Sequence, residues 1–243
     1  MAVPDTKVFI AFDLTDSGGS YFALDDPVRG VLNSNYILGG DVLYDVTDHV
    51  ASVSIQRGKS NELDRYTAGN ASITLHNDDR NFDPFYTAGP FYTQIVPRKE
   101  VAIETNGIRQ YTGFIDDWDL TYQLGNKSFA NVNCVDGFLQ LNATQLDAFS
   151  NVEQSSGDRI VSVLNRPEVA WPQSKRIIEE GLRTLQADSV AQNTNLLSYL
   201  QIIEETEVGS LFMDKDGALN FQDRIVVPPL RVTTTRLKRF SEP

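Results

Sequence analysis

Few side chains in this sequence could perform chemistry, and they are widely scattered. The chain has two histidines, His49 and His76, and each stands beside a segment with the alternating pattern of a β-strand. A serine triad needs a geometry around its histidine that neither segment supplies. Glu204 and Glu205 are adjacent on a predicted helix, where neighbouring side chains diverge by about 100°, so they are a poor acid pair for glycan cleavage. We therefore predict that the chain is not an enzyme.

One group of oxygen-bearing side chains has the alternate spacing of a calcium-binding loop. Asp79, Asn81 and Asp83 supply that spacing, but Pro84 stands where such a loop needs glycine. The position of the closing acid is taken by Pro90. No phosphate-binding loop or dinucleotide fingerprint occurs in the sequence. We therefore predict no metal site and no cofactor.

Composition excludes several further classes of protein. The chain has 243 residues, with 33 acidic and 21 basic side chains and a net charge of -12. This acidic balance argues against a surface that grips nucleic acid, which needs clustered Lys and Arg. Cys134 is the only cysteine, so an internal disulfide and a cysteine-based zinc site are excluded. No apolar run approaches the ~20 residues of a membrane span, so we expect no stable membrane insertion.

Alternation of polar and apolar residues predicts strands through the first part of the chain. Segments 110–122 and 127–136 are expected to form an antiparallel pair. In the second of these strands, the small apolar side chains of Ala130, Val132 and Cys134 are expected to face the core, because successive side chains point to opposite faces.

The pattern changes after the strands, and helices are predicted. Ser155 or Ser156 can cap a short helix. The clearest helix covers 194–208, followed by Gly209 at the position that often takes a left-handed conformation. Its acids are expected to face solvent, namely Glu204, Glu205 and Glu207. Segments 210–213 and 218–221 then form a predicted hairpin, which gives a small α+β unit.

A long polar and aromatic segment lies between two predicted strands, 71–75 and 101–104. It is too long for a hairpin turn and too aromatic for a solvated linker, and long structured loops tend to be functional. We predict that it contacts a neighbouring subunit, because aromatic residues and arginine are enriched at interfaces. The alternative is that the same aromatic rings plug the end of a barrel. The predicted interface residues are Arg80, Phe82, Phe85, Tyr86, Phe91, Tyr92 and Arg98.

Several short motifs in and around this segment have a characteristic order and spacing. They are Arg57-Gly58, Leu63-Asp64, Ala68-Gly69, Asn77-Asp78, Phe82-Asp83-Pro84, Pro97-Arg98 and Thr112-Gly113-Phe114. Together they resemble the minor tail proteins of long-tailed bacteriophages, of the tail-hub (baseplate hub) kind. The likeness runs from about Phe22 to Arg224.

The resemblance implies a mainly β fold, with a tail-tube-like β-barrel and a small α+β subdomain. We expect the barrel over residues 1–145 and the subdomain over 146–225. Hub proteins usually continue into a second barrel, whereas this chain has only a short basic tail, 226–243, after the subdomain. We expect the second barrel of the family to be missing.

The resemblance also implies a function: a structural virion protein of the tail tip, made in the host cytoplasm. It would form a ring that extends the tail tube and connects it to host-recognition parts. A trimer is favoured, and a hexamer like that of the distal tail protein is the alternative. The implied partners are distal tail or tube proteins, the tape measure and receptor-binding or fibre proteins, with DNA only in passage. A carbohydrate-binding β-module for cell-wall attachment is the alternative from another class, with Trp118 as its candidate platform.

A ring that passes DNA needs a lumen that does not hold phosphates, and acids in a strand could line it. Alternation places Asp117 and Asp119 on one face of their strand and Asp116 with Trp118 on the other. We predict that Asp117 and Asp119 line the lumen, because Trp118 together with Phe114 marks the buried side.

Overall fold

The structure is a computed structural model of the chain. It describes residues 4–12, 21–22, 27, 37–38, 42–59, 65–124 and 127–224. The predicted basic tail, 226–243, lies outside the described residues.

The described residues form mainly strands, with three α-helices in the second half of the chain. The strands are β1 (Thr6–Phe12), β2 (Tyr21–Phe22), β3 (Ile37–Leu38), β4 (Val42–Asp45), β5 (Val50–Gln56), β6 (Asn70–His76), β7 (Glu100–Thr105), β8 (Ile108–Gln123), β9 (Lys127–Val135), β10 (Gln145–Leu146), β11 (Phe149–Asn151), β12 (Gln154–Ser155), β13 (Arg176–Ile178), β14 (Thr184–Leu185), β15 (Asp188–Val190), β16 (Thr194–Asn195), β17 (Ser210–Met213) and β18 (Leu219–Gln222). The helices are α1 (Phe138–Ala143), α2 (Ser156–Leu164) and α3 (Leu196–Glu207), with 3₁₀ turns at Thr47–His49 and Gln173–Lys175. The predicted mainly β class is confirmed.

Seven strands form one antiparallel sheet in the order β4-β1-β7-β8-β9-β6-β5. The longest pairing joins β8 to β9, which confirms the predicted antiparallel pair. Ala130, Val132 and Cys134 are buried, while Asn133 between them is exposed, so the predicted core face of β9 is also correct.

The sheet is strongly curled, because its two edge strands are neighbours in the chain. β4 ends at Asp45 and β5 begins at Val50, and this link can cover at most about 18 Å. In a flat sheet, six strand spacings of about 4.8 Å would separate the two edges by about 29 Å. The sheet must therefore bend back on itself. No strand pairing joins β4 to β5 among the described residues, so the closed barrel stays a prediction.

The concave side of the curled sheet holds the first hydrophobic core. Strands β1, β6, β7, β8 and β9 supply buried residues to it, and Val50 and Val53 of the edge strand β5 pack against it. Its buried members are Val8, Ile10, Phe12, Val46, Ala71, Ile73, Leu75, Phe82, Phe91, Ile95, Val101, Ile103, Tyr111, Ile115, Ala130, Val132 and Cys134. Burial of this apolar surface is the main term that stabilises the sheet.

A second core lies under the three α-helices and the small sheet β13-β18-β17. Its buried members are Phe138, Leu141, Leu146, Ile160, Val163, Leu164, Trp171, Val190, Leu196, Tyr199, Leu200, Ile203, Leu211, Met213, Leu219 and Phe221. The two cores thus divide the described chain between Cys134 and Phe138, a few residues before the predicted boundary at 145.

Helix α3 confirms the predicted helix over 194–208 but not the orientation of its acids. Glu205 is exposed, whereas Glu204 and Glu207 are buried. The carboxylate of Glu204 accepts from the Leu211 N–H at 2.8 Å, and that of Glu207 accepts from the N–H groups of 182–183 at 3.0 and 2.9 Å. Glu204 satisfies a backbone donor of strand β17 and Glu207 satisfies two backbone donors of the segment before β14, and this offsets the loss of water around the carboxylates.

The end of α3 also differs from the prediction. The left-handed conformation belongs to Val208, with φ of 60°, and not to Gly209. A Cβ atom on Gly209 would lie 2.4 Å from the carbonyl oxygen of Gln222. Gly209 is therefore required by the close approach of β18 and not by its own backbone angle.

Candidate functional site

The segment between β6 and β7 is a rigid series of turns. In each turn, a carbonyl group accepts the N–H of the third residue along the chain, at 2.9 to 3.2 Å, and the next turn begins where the last one ends. The accepting carbonyl groups of this series belong to Asn77, Arg80, Asp83, Tyr86 and Gly89. The segment satisfies its own backbone and is a structured loop, as the sequence predicted.

Both ends of this loop are fixed to the central strands. The Asn77 N–H donates to the carbonyl of Ser128, and the side-chain oxygen of Asn77 accepts the Phe82 N–H, each at 2.9 Å. At the far end, the Arg98 N–H donates to the carbonyl of Ile115 at 2.6 Å. The loop therefore crosses the end of the sheet and returns beside β8.

Two of the predicted interface residues lie inside the first core. Phe82 and Phe91 are 0% and 3% exposed. Phe91 stacks on Phe12 with ring centroids 4.3 Å apart, and Phe82 lies parallel to Trp118 at 6.2 Å. This corrects the prediction for these two rings, because a buried ring cannot face a neighbouring subunit. They plug the end of the curled sheet, which was the alternative reading of the loop.

Four side chains form an exposed surface that we call the aromatic patch. They are Arg80, Phe85 and Tyr86 of the loop and Tyr122 of β8. Phe85 is 84% exposed and Tyr122 57% exposed. The guanidinium of Arg80 lies 4.9 Å from the ring centre of Tyr86 and 2.8 Å from a carboxylate oxygen of Asp83. An exposed phenylalanine beside an arginine on a fixed loop has the composition of a protein interface.

Asp83 organises the aromatic patch from beneath. Its carboxylate is buried and accepts from the Phe85 N–H at 2.8 Å, from the Arg80 guanidinium and from the Tyr122 hydroxyl. Burial acts to raise the pKa of Asp83, but the hydrogen bonds from Phe85, Arg80 and Tyr122 outweigh it and hold that pKa below its usual value. The Asp83 carboxylate, one of the three groups of the calcium-like spacing, is thus engaged by the protein itself.

The last two predicted interface residues lie away from the aromatic patch. Tyr92 is 41% exposed, and Arg98 is exposed close to β8. Arg98 borders a pocket of about 230 Å³ that is lined by Phe114, Leu139 and Gln140. Phe114 and Leu139 are half-buried and form its apolar floor, while Arg98 and Gln140 are exposed at its rim.

The convex side of β5, β6, β9 and β8 carries two rows of short polar side chains, which we call the polar face. Pairing aligns one residue from each strand in each row. The rows are Ser54, Ser72, Asn133 and Asp117, and below them Ser52, Thr74, Asn131 and Asp119. Neither row holds Lys or Arg, and Lys127 stands on the same face at the start of β9. One side of the polar face forms a shallow groove of about 520 Å³.

The predicted lumen residues Asp117 and Asp119 lie together on the polar face, opposite the core. Both are exposed, and neither carboxylate makes a hydrogen bond or ion pair with another described residue. Their position opposite the core agrees with the predicted alternation, whereas the prediction that Phe114 shares the buried side with Trp118 is wrong, and the lumen itself stays a prediction. A bulge between Ile115 and Asp117 shifts the alternation, so Trp118 packs on the core while Phe114 points to the other side.

The histidines take structural positions. His49 meets the ring of Phe82 edge-on at 5.3 Å, and His76 lies 5.3 Å from the ring of Phe129. Across the part of the chain that the structure describes, no group of three or more His, Cys, Asp or Glu side chains could hold a metal ion. Within the same residues, no helix is long and apolar enough to cross a membrane.

An ion pair between a buried arginine and a half-exposed aspartate in the second unit was not among the predicted features. Arg159 is 2% exposed and its guanidinium lies 2.8 Å from Asp188, whose other oxygen accepts from Tyr199 at 2.8 Å. Asn151 donates to the same Asp188 at 2.8 Å. The sequence signal was present, because an arginine stands among the apolar residues of the predicted helix that Ser155 caps.

No protein-family model and no curated protein matches the chain. Solved structures do match it. The 43 kDa tail protein of prophage MuSo2 from Shewanella oneidensis aligns with a TM-score of 0.55 and 14% identity, over 92% of this chain and 56% of that protein. The tail protein from Neisseria meningitidis MC58 aligns with a TM-score of 0.53 and 11% identity, over 89% of this chain and 50% of that protein. The chain spans about half the length of these two structures.

These likenesses concern the fold, because the sequence identities are low. The predicted resemblance to phage tail proteins is confirmed at that level. Both the curled sheet and the smaller α+β unit fall within the matched share of the chain.

Proposed function

We propose that this chain is a structural protein of a phage tail, a hub-type minor tail protein that forms a ring at the tail tip. The ring extends the tail tube and joins it to the parts that recognise the host. The observation that carries the proposal is the polar face, whose two rows across four strands contain free carboxylates and no cationic side chain.

The polar face suits the wall of a channel for DNA. Duplex DNA carries about one negative charge per 1.7 Å, and Lys or Arg in the wall would hold it through phosphate contacts. Short hydroxyl and amide side chains offer only weak neutral contacts, and the carboxylates of Asp117 and Asp119 repel phosphate. DNA is thus a passing solute and not a bound partner.

The aromatic patch suits the contact between subunits of the ring. Aromatic side chains and arginine carry much of the binding energy at protein interfaces, and Phe85 is held in position before association. We propose a trimer, with a hexamer as the alternative if the curled sheet of each chain is the sole tail-tube-like barrel. Residues 1–145 and 146–225 are the two proposed domains.

The proposed partners are other tail proteins: distal tail or tube subunits and the tape measure on one side, receptor-binding or fibre proteins on the other. The proposed location is the virion, after synthesis in the host cytoplasm. The acidic net charge of -12 fits passage of DNA and also keeps the protein soluble.

A carbohydrate-binding module is less well supported. Such a module needs an exposed aromatic platform, and Trp118 was the candidate. Its ring packs on the core beside Phe82, and its indole N–H donates to the carbonyl of Val96 at 3.2 Å. The ring face is therefore not offered to a sugar.

The test replaces the two acids of the polar face in the assembled phage. Asp117→Lys with Asp119→Lys should leave tail assembly normal and slow DNA delivery, with relief at high salt, because new cations bind phosphate. The matched control is Glu153→Lys with Glu180→Lys, the same change in charge at exposed positions of the second unit. Delivery rates equal to those of the control at every salt concentration would overturn the channel assignment.

A further inference from the structure

A closed ring needs two different surfaces on each chain. In a cyclic assembly of more than two subunits, one patch of each copy meets another patch on the next copy. The aromatic patch supplies one of them. The assignment of the second surface rests on the proposed ring.

The pocket beside Arg98 has the properties of a receptor for one side chain. Its volume of about 230 Å³ is below the ~300–1,000 Å³ of pockets for small molecules. Phe114 and Leu139 provide an apolar floor, and an aromatic ring on that floor would meet Phe114 in a favourable ring pair.

The side chain with the complementary shape is Phe85, which is 84% exposed on a loop that its own hydrogen bonds hold rigid. The charges also match. The loop that carries Phe85 has the exposed carboxylates of Asp78 and Asp79, while its cation Arg80 is paired with Asp83. The rim of the pocket carries the exposed guanidinium of Arg98. Opposite charges at the rim guide two copies into one orientation.

A chain cannot fill its own pocket in this way. Hydrogen bonds to Asp83 hold Phe85 near Tyr122, whereas the Arg98 N–H donates to the carbonyl of Ile115. Tyr122 and Ile115 lie on the same strand about 23 Å apart at ~3.3 Å per residue. The two surfaces are therefore separate, as a head-to-tail contact requires.

We propose that Phe85 of each copy inserts into the pocket formed by Arg98, Phe114, Leu139 and Gln140 of the next copy. This is a heterologous contact that closes into a ring. The occupant of the pocket is a second copy of this chain.

Cysteine cross-linking tests the pairing directly. Gln140 is exposed at the rim and Thr87 is exposed two residues after Phe85, so Gln140→Cys and Thr87→Cys, which keep the Phe85 ring, should react across the contact with a short bismaleimide. The native Cys134 gives little background, because it is buried and burial raises the pKa of its thiol to about 12. The double variant should give a ladder that ends at the ring size, and a mixture of the two single variants should give dimers only.

The controls separate this pairing from random contact. Val152→Cys with Gln140→Cys keeps one partner and moves the other to an exposed position of the second unit, and it should give no ladder. Dimers from Thr87→Cys alone would mean that the patch meets itself, which would overturn the proposal.

A second variant blocks the pocket without touching the core. Gln140→Trp should weaken self-association at least about tenfold, because the indole occupies the space meant for Phe85. Gln173→Trp, an equal change at an exposed position of the second unit, should leave it unchanged. Light scattering of the wild type distinguishes a failure of the proposed ring from a failure of this pairing. A wild type that never self-associates would refute the ring and this pairing together, whereas normal rings without cross-links would refute the pairing alone.

Discussion

The polar face and the aromatic patch are both exposed and both use strand β8, yet they are opposite in character. The polar face shows serine, threonine, asparagine and aspartate side chains. The aromatic patch shows Phe85 and Tyr122, whose rings are 84% and 57% exposed. Apolar area that is held rigidly in water favours association, whereas short polar side chains offer a partner almost no area to bury. The aromatic patch is therefore suited to binding, and the polar face to the passage of DNA.

The two surfaces also differ in what fixes them. The polar face follows from strand pairing alone, because its rows are set by the register of four strands. The aromatic patch depends on tertiary anchors: Phe82 in the core and the buried carboxylate of Asp83. Substitutions should therefore separate the two surfaces cleanly.

The largest effect is expected from Phe82→Ala. This ring is fully buried and stacks near Phe91 and Trp118. Its loss should lower the free energy of unfolding by about 3–5 kcal/mol, as measured by urea denaturation, and should release the loop that carries the aromatic patch. Conservative replacement by leucine should lose less. A change below about 1 kcal/mol for the alanine variant would mean that the loop does not depend on this anchor.

Phe85→Ala should act on association and not on folding. The exposed ring contributes little to the free energy of unfolding, so that quantity should stay within about 0.5 kcal/mol of the wild type. Self-association measured by sedimentation should weaken by about 2 kcal/mol, roughly thirtyfold, because a central aromatic anchor is lost. Wild-type oligomers in this variant would remove the aromatic patch from the interface.

Asp83→Asn should have a smaller effect that depends on pH. Burial opposes ionisation of Asp83, but its hydrogen bonds keep the folded pKa below the unfolded value of about 3.9. The ionised group therefore contributes stability above that pH, and this stability is lost as the pH falls through the folded pKa. Replacement should cost about 1–3 kcal/mol at neutral pH and flatten this part of the acid dependence of unfolding. Equal acid dependence in variant and wild type would show that Asp83 does not hold the patch.

The smallest effect on stability is expected at the polar face. Asp117→Lys with Asp119→Lys removes no contact among the described residues, so the free energy of unfolding should change by less than about 0.5 kcal/mol. Urea denaturation at low and high salt checks this. A large loss of stability would mean that the polar face has a structural role that its lack of partners does not reveal.

Much of the sheet could be predicted from the sequence, because alternation follows directly from the period of a strand. The pairing of β8 with β9 and the buried side of β9 are examples. The bulge at Asp116 could not be predicted, since an extra residue leaves the composition of the strand unchanged. Because of this bulge, Phe114 and Trp118 lie on opposite faces of β8, whereas plain alternation would place them on the same face.

Tertiary contacts account for the other differences. Glu204 and Glu207 look like solvent-facing acids on a helix, but Glu204 accepts the Leu211 N–H of strand β17 and Glu207 accepts two N–H groups from residues 182–183. The loop aromatics are alike in sequence, and only packing separates the buried Phe82 and Phe91 from the exposed Phe85. The pocket beside Arg98 combines a loop, a strand and α1, so no local pattern encodes it.

The central claim is that the polar face lines the channel of a ring. Ser72→Cys places a thiol in the middle of this face, while the native Cys134 stays buried. In the assembled ring, the thiol should react with a small maleimide and resist a large polyethylene-glycol maleimide, and it should react with both in a ring-deficient Phe85→Ala background. Equal reaction of the assembled ring with both reagents would place the polar face on the outside and contradict the account.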